Sequence, residues 1–429
     1  MKKLLIDCSF IITTELNTGI QRVVRKVVEN MGYICDDYQM YQVVLEDGKI
    51  NEVSLFNEDI VFETDITPQQ GDILLLLDST WHLDNWSSVK LAKDNGAKVI
   101  ATIYDIIPIS HPQFCDDNLV KIFKSWFDIA INYVDGFIAI SNTVEMQLKN
   151  YLQNSFPDKI ANKQFDYFLL GADFDYKEVS IYTKEIKKEL IKLYDNNKNI
   201  YLIVCTVEPR KNHKYLLDVF DQLWNNDIDV TLNIVGKIGW KVEELMDRIH
   251  NHKEYNQRLF HWDNLNDMEL NYCYENSKML LFSSYIEGFG LPIVESLNNR
   301  LPVLASDISI HREVGGDKIG YFDIDNCDDL VKKITDIEIN SIPKNIIPHK
   351  DFKWMNWGEA TEMLFNKIEI VNKKLIDNDI HNMIENFDFD NKKNIIENIA
   401  QNIIDNRLDE LINDDIYIQI ATKIKQEKS

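Results

Sequence analysis

The sequence predicts an α/β protein made of two doubly wound halves, followed by an extra helical carboxyl-terminal extension. Three observations predict it. Short apolar runs alternate with segments of helical spacing, as buried parallel strands and their crossover helices do. Charged or glycine-rich turns follow several of those runs, at the edge where an open parallel sheet takes its ligands. The chain, at 429 residues, is too long for one typical core and suits two domains with additions.

The first half opens with an apolar run at residues 4–6. Met1-Lys2-Lys3 ahead of it imitates the start of a signal peptide, but Asp7 interrupts the run, so it reads as a first strand. The loop Asn17-Thr18-Gly19 comes next, then Val23, Val24, Val27 and Val28 at helical spacing. Gly19 would let the backbone approach a ligand phosphate or sugar, and an ordinary turn glycine would look the same. Apolar runs at 73–77, 99–103 and 136–140 read as further strands, which leaves Asp78, Tyr104, Asp105 and Ser141 just past strand ends.

The second half holds the most informative stretch, Glu287-Gly288-Phe289-Gly290-Leu291-Pro292-Ile293-Val294-Glu295. Residues 279–282 form a buried strand, Ser283 and Ser284 end it, and Pro292 starts a helix. Glu287 therefore lies on a loop and Glu295 about one turn into the helix. Free amides around Gly290 and Leu291 would face an anion between the two carboxylates. That arrangement suits a sugar nucleotide: one carboxylate accepts from sugar hydroxyls, the other from the ribose diol, and the phosphates take the amides. An ordinary strand, loop and helix with an acidic first turn is the plainer alternative. Upstream, a strand at 201–206 runs into Glu208-Pro209-Arg210-Lys211-Asn212 and a helical pattern, placing two cations at a strand's carboxyl end as a fork and a point charge for a pyrophosphate. A further strand at 232–236 ends in Gly236-Lys237-Ile238-Gly239-Trp240.

The runs TVEPRKNHKYLLDVF, LNIVGKIGW and SSYIEGFGLPIVESLNNRLPVLASDISIHREVGG resemble the nucleotide-sugar-binding half of retaining family-four glycosyltransferases of the GT-B type. In the first half LIDCSF, NTGIQRVVRKVV, YDIIPISHPQFC, DGFIAISNTVEMQL and FLLGADF resemble the bacterial surface-polysaccharide branch of that family, often mannosyltransferases. The resemblance covers roughly residues 1–373. It implies two Rossmann-like domains facing a cleft: an acceptor-side domain at 1–175, a charged helical linker at 176–192, a nucleotide-sugar domain at 193–350, and a helix at 351–373 crossing back. It also implies that Glu287 holds the sugar hydroxyls and Glu295 the ribose, that the loop at Leu265 lies beside the base, and that the turn at Asp105 faces the entering acceptor. Relatives commonly have histidine before that aspartate, where this chain has Tyr104. A tyrosine can hydrogen-bond a sugar hydroxyl but is no acid or base at neutral pH. His111 is the nearest imidazole on that loop. Arg300 replaces a glycine that relatives use before the Pro302-Val303 strand. Asp267 reads as a helix N-cap.

Composition narrows the class. Hydrophobic residues at 45% and aromatic residues at 11% are enough for packed cores. A formal charge of −24, from 70 acidic against 46 basic side chains, excludes nucleic acid as a partner. The six cysteines are scattered without metal-ligand spacing and read as reduced thiols of a cytosolic protein. No run approaches the roughly 20 apolar residues of a membrane span. Arg22, Arg25 and Lys26 read as a solvated helix face, with contact to a membrane or a lipid-linked acceptor, at the inner membrane face, as the alternative. Residues 374–429 lie beyond the resemblance. Helical spacing of Ile395, Ile396, Ile399, Ile403, Ile404, Leu408 and Leu411 fits either a helical pair packed on the enzyme or an oligomer or partner contact.

The expected chemistry follows from the leaving group. Breaking a sugar–phosphate bond puts negative charge on a nucleoside diphosphate, and Arg210, Lys211 and the amides at Gly290 and Leu291 would stabilise it. No Asp-x-Asp motif follows any of the strands read above, so neither metal nor cofactor is expected; the donor is a substrate. The resemblance implies retention of configuration and a glycan, lipid-linked or protein acceptor, with GDP-mannose the leading donor. Two other readings use the same architecture, a catalytically silent partner subunit and a sugar-nucleotide epimerase. The second needs acid and base groups that Tyr104 leaves scarce.

Overall fold

The computed structural model describes residues 1–14, 19–31, 38–55, 65–172, 186–197 and 199–385. They form two compact units, one made of Met1–Tyr104, Lys121–Leu169 and the chain from Ala360 onward, the other of Asp105–Val120 and Leu170–Glu359. Asn17, Thr18, Cys35 and the stripe from Ile395 to Leu411 lie outside the described residues.

The first unit carries a seven-stranded sheet of β1 (Lys2–Asp7), β2 (Tyr38–Glu46), β3 (Lys49–Glu52), β4 (Ile73–Leu76), β5 (Lys98–Ile103), β6 (Gly136–Ala139) and β7 (Gln164–Tyr167), in the order β3-β2-β1-β4-β5-β6-β7. Among these described strands only the β2–β3 pair is antiparallel. The inner strands read as unbroken apolar runs because helices cover both faces; all four residues of β4 are buried. Helix Trp357–Glu385 enters this unit at Ala360 and packs on it: Val371 lies against Gly136, and Lys367 and Lys98 pair with Asp166 and Asp379. The helix expected at 351–373 begins at Trp357 and runs on unbroken to Glu385.

The second unit carries a six-stranded, wholly parallel sheet of β8 (Ile200–Val204), β9 (Thr231–Val235), β10 (Leu259–Trp262), β11 (Met279–Phe282), β12 (Val303–Ser306) and β13 (Gly320–Phe322), ordered β10-β9-β8-β11-β12-β13. The strand order reverses between β8 and β11, so the loops leaving these neighbours diverge and open a crevice at their carboxyl ends. The core runs from Tyr201 and Ile203 through Leu216, Phe220 and Leu223 to Leu281 and Ile334. Part of the expected linker is packed here: helix Lys188–Asn196 belongs to this unit, and Lys187 pairs with Glu269 at 3.1 Å. Among the described residues no helix is long and apolar enough to cross a membrane.

Candidate functional site

The switch point of the second unit is built by two loops. After β8 the chain turns through a 3-10 segment, Pro209–Lys211, whose proline presets the first φ. Asn212 follows in the left-handed region (φ 56°) and leads into helix His213–Asn225. After β11, residues 283–290 cross back, tied to the first loop by Tyr285 N donating to Arg210 O (2.8 Å) and Ser283 Oγ to Lys211 O (2.8 Å).

This brings Arg210, Lys211 and Glu287 together. Arg210 Nη1 donates to Glu287 Oε2 at 2.7 Å, Lys211 Nζ bonds Glu287 Oε1, and Ser284 Oγ donates to the same oxygen at 2.5 Å. Arg210 Nε also pairs with Glu208 at 2.7 Å, and Lys211 sits 5.3 Å from the Phe282 ring centre. Burial alone would raise the Glu287 pKa, but Arg210 and Lys211 overcome it and hold the carboxyl well below the usual range. For Arg210 burial opposes the charge, yet Glu287, Glu208 and Asp105 keep it more firmly protonated than usual. Burial pushes the Glu208 and Asp105 carboxyls up, with Arg210 opposing in both. The cluster thus sets three carboxyls against two cations. Glu208 was not among the expected site residues, although it stands two positions before Arg210 in the sequence.

The helix Leu291–Asn298 begins beside this cluster. Gly290 is its N-cap at φ 99°, and a Cβ there would meet Phe282, His311 and Ile293 at 3.5–3.7 Å. Ile293 N bonds Gly290 O, and among the described residues the amides of Gly290 and Leu291 have no acceptor, so they can serve an anion. Gly288 and Phe289 are buried on the approach, the Phe289 ring lying 6.2 Å from Trp354. Glu295 is buried and accepts from Tyr274 Oη at 2.8 Å, so a ribose diol would have to share it with that hydroxyl. His311 is buried behind the turn with Nδ1 against Ser306; burial lowers its pKa to about 4, leaving it neutral. Asp105 joins this unit, its Oδ1 capping Ile107 N at 2.9 Å, and it senses the charges of Arg210, Glu287 and Lys211.

Other expected residues lie differently. Gly236 is required by close approach, since a Cβ would fall 1.9 Å from Cys205 O; its N–H and C=O are already used by Trp262 O and His261 Nε2. Leu265 is half-buried on the loop after β10. The N-cap there is Asn266, not Asp267, and it forms a capping box with Glu269. Tyr104 is buried and donates to Leu77 O at 2.7 Å, so its hydroxyl serves the fold rather than a sugar. His111 is half-buried, Nδ1 against Ser110 Oγ. Gly19 heads helix Gly19–Asn30 of the first unit, where a Cβ would meet nothing within 4 Å. On that helix Lys26 is buried and paired with Glu29 at 2.9 Å, which corrects the solvated-face reading for this residue.

The first unit has its own polar cluster where its strand order reverses, between β1 and β4. Asp7 is fully buried: Oδ1 accepts from Ser9 N and Oγ, and Oδ2 has no partner among the described residues. Asp78 accepts from Ile11 N and Ser79 N, each at 2.6 Å. Burial, with Asp78 nearby, raises the Asp7 pKa to about 7. Among the described residues no three His, Cys, Asp or Glu side chains converge to hold a metal ion, and the described cysteines are unpaired.

Two doubly wound sheets, with a charged crevice at the reversal of the second, place the protein in the GT-B fold class. Residues 184–350 match the family Glycosyl transferases group 1. The chain is similar to the serotype-specific mannosyltransferase WbdA of Escherichia coli, 27% identical over 387 residues, covering 86% of this chain and 47% of that protein. It thus spans about half the length of such relatives. O-antigen chain mannosyltransferase B of E. coli is 26% identical over 167 residues, 37% of this chain and 44% of its own. Among solved structures, sucrose-phosphate synthase from Thermosynechococcus elongatus aligns with a TM-score of 0.54 at 14% identity, covering 87% of this chain and 97% of that one. Anabaena HepE in complex with UDP and glucose aligns with a TM-score of 0.54 at 12% identity, covering 88% and 99%.

Proposed function

We propose that the protein transfers a sugar, with mannose from GDP-mannose the first candidate, from a nucleoside-diphosphate sugar to a glycan, lipid-linked or protein acceptor, retaining configuration and needing no metal, in the cytoplasm. The observation that carries this reading is the Arg210–Lys211 pair held on Glu287, beside two unpartnered amides at a helix N-terminus. A buried carboxylate holds both cations oriented before any ligand arrives, which is the preorganisation a departing diphosphate needs. As charge develops on the leaving phosphate, Lys211 and Arg210 turn part of their bonding from Glu287 to phosphate oxygens. The released carboxylate oxygens then accept from sugar hydroxyls. Asp105, whose pKa is raised by burial and which senses Arg210, Glu287 and Lys211, is the residue assigned here to meet the incoming hydroxyl. The mannosyltransferase names of the relatives support mannose, and the HepE complex with UDP and glucose supports a nucleotide-sugar donor.

The test is a thermal-shift series with GDP, UDP, dTDP and ADP, each with and without its common sugars, followed by a transfer assay with the best donor. Stabilisation by one nucleotide together with transfer of its sugar is the expected result. No shift with any of them sinks the reading and favours a silent partner subunit.

A further inference from the structure

Asp105–Val120 packs with the second unit although the residues on both sides of it in sequence belong to the first. The segment is a strap: a short helix Ile107–Ser110, then a 3-10 turn Pro112–Phe114. Ile107 and Cys115 bury against Ile286, and the Phe114 ring stacks on Tyr285 at 5.3 Å and 15°. The carbonyls that end a helical turn need donors from elsewhere. Here they are met by two consecutive side chains, Trp240 Nε1 on Phe114 O at 2.8 Å and Lys241 Nζ on Cys115 O at 2.6 Å.

Two features show that this grip is more than packing. Lys241 sits at φ 55°, where glycine or asparagine would be at ease, so a lysine there carries backbone strain for the sake of its side chain. Trp240 is 38% exposed, so its indole is not held by a core. The loop that bears both residues is pressed onto the cluster's own backbone: Gly239 N bonds Val207 O at 2.9 Å, and a Cβ on Gly239 would lie 2.9 Å from that oxygen and 3.3 Å from Glu208 Cβ.

We propose that Trp240 and Lys241 are positioning residues, a two-point clasp that holds the strap on the second unit and so keeps Asp105 beside the Arg210–Glu287 pair. The inference rests on reading that cluster as the donor site. Neither residue has to touch the reacting atoms; they act through the strap.

The experiment compares Trp240→Phe, Lys241→Gly, their combination and Lys241→Arg. The glycine removes the amine while relieving the strained backbone, so its thermal midpoint should hold or rise, which separates loss of the clasp from loss of the fold. Hydrogen exchange should quicken at least tenfold at the His111, Phe114 and Cys115 amides in the double variant, with β8 and β11 unchanged. With the donor identified above, kcat should fall at least tenfold while the donor KM stays within threefold, and Lys241→Arg should return to within threefold of the wild type. Strap amides exchanging at the wild-type rate would overturn the clasp, and faster exchange with kcat unchanged would overturn its positioning role. A wild-type protein that transfers no sugar would instead remove the donor-site reading, and the exchange arm would still decide whether the clasp holds the strap.

Discussion

Asp7→Asn should make the protein more stable at alkaline pH and change little in acid. Asp7 is fully buried with one oxygen unpartnered, and its pKa is raised to about 7 from the model-peptide value of 3.8. A carboxyl whose folded pKa is raised favours folding while protonated. Its contribution is therefore complete below pH 3.8 and is lost as pH rises through 7. The gap, at ~1.36 kcal/mol per pH unit, corresponds to about 4 kcal/mol, more than half of it lost between pH 5 and 8. Asparagine keeps the acceptor for Ser9, cannot ionise, and adds a donor near the Asp78 carboxylate. Urea unfolding followed by circular dichroism at pH 5, 6, 7 and 8 reads the effect directly. The variant's advantage should grow to a few kcal/mol by pH 8, or roughly 10 °C in thermal midpoint. Parallel pH profiles for variant and wild type would refute the reasoning, since they would mean that Asp7 is already ionised, or already satisfied, in the folded protein.

Four further outcomes are expected. Lys211→Ala should lower kcat by about 10²–10³-fold with the circular dichroism spectrum unchanged, because it removes a charge that matters most as the phosphate leaves; near wild-type turnover contradicts this. A chelator should leave transfer unaffected, and strict Mg²⁺ dependence in the same assay would contradict the metal-free reading. Arg300→Gly should raise the unfolding free energy read from urea titration by about 0.5–1 kcal/mol, since Arg300 is exposed and held at φ 60°; a destabilised variant would show a contact for its side chain that the turn does not reveal. Gly236→Ala should cost roughly 3 kcal/mol or more, measured as lost soluble yield or thermal midpoint, because its Cβ would collide with Cys205 O.

The inner sheet was legible because buried parallel strands are continuous apolar runs: residues 279–282 are β11 to the residue. The edges were not. β2 is half-exposed over its first five residues, β7 over all four, and β13 has only three residues, so none shows a clean period. At the site, the residue types were legible and their pairing was not. Two cations after one strand and a glutamate after another announce an anion site, but that Glu287 binds both cations depends on a contact across 76 and 77 positions. Tyr104 shows the opposite failure. Its place past a strand end suggested a ligand, and only the fold reveals that Leu77 O takes its hydroxyl. The contact of Trp240 with Phe114, 126 positions away, leaves no local trace either.

The strap also bears on how such proteins can be recombined. A polypeptide cut at residue 170 would carry all six strands of the second sheet yet lack Asp105–Val120. It would bare Ile286 and the Tyr285 face and leave the indole of Trp240 and the amine of Lys241 without their carbonyls. A chimera joined at the same point would set one parent's strap against the other parent's clasp. The two halves are therefore not interchangeable modules, and shuffling between relatives should succeed only when residues 105–120 travel with 240–241.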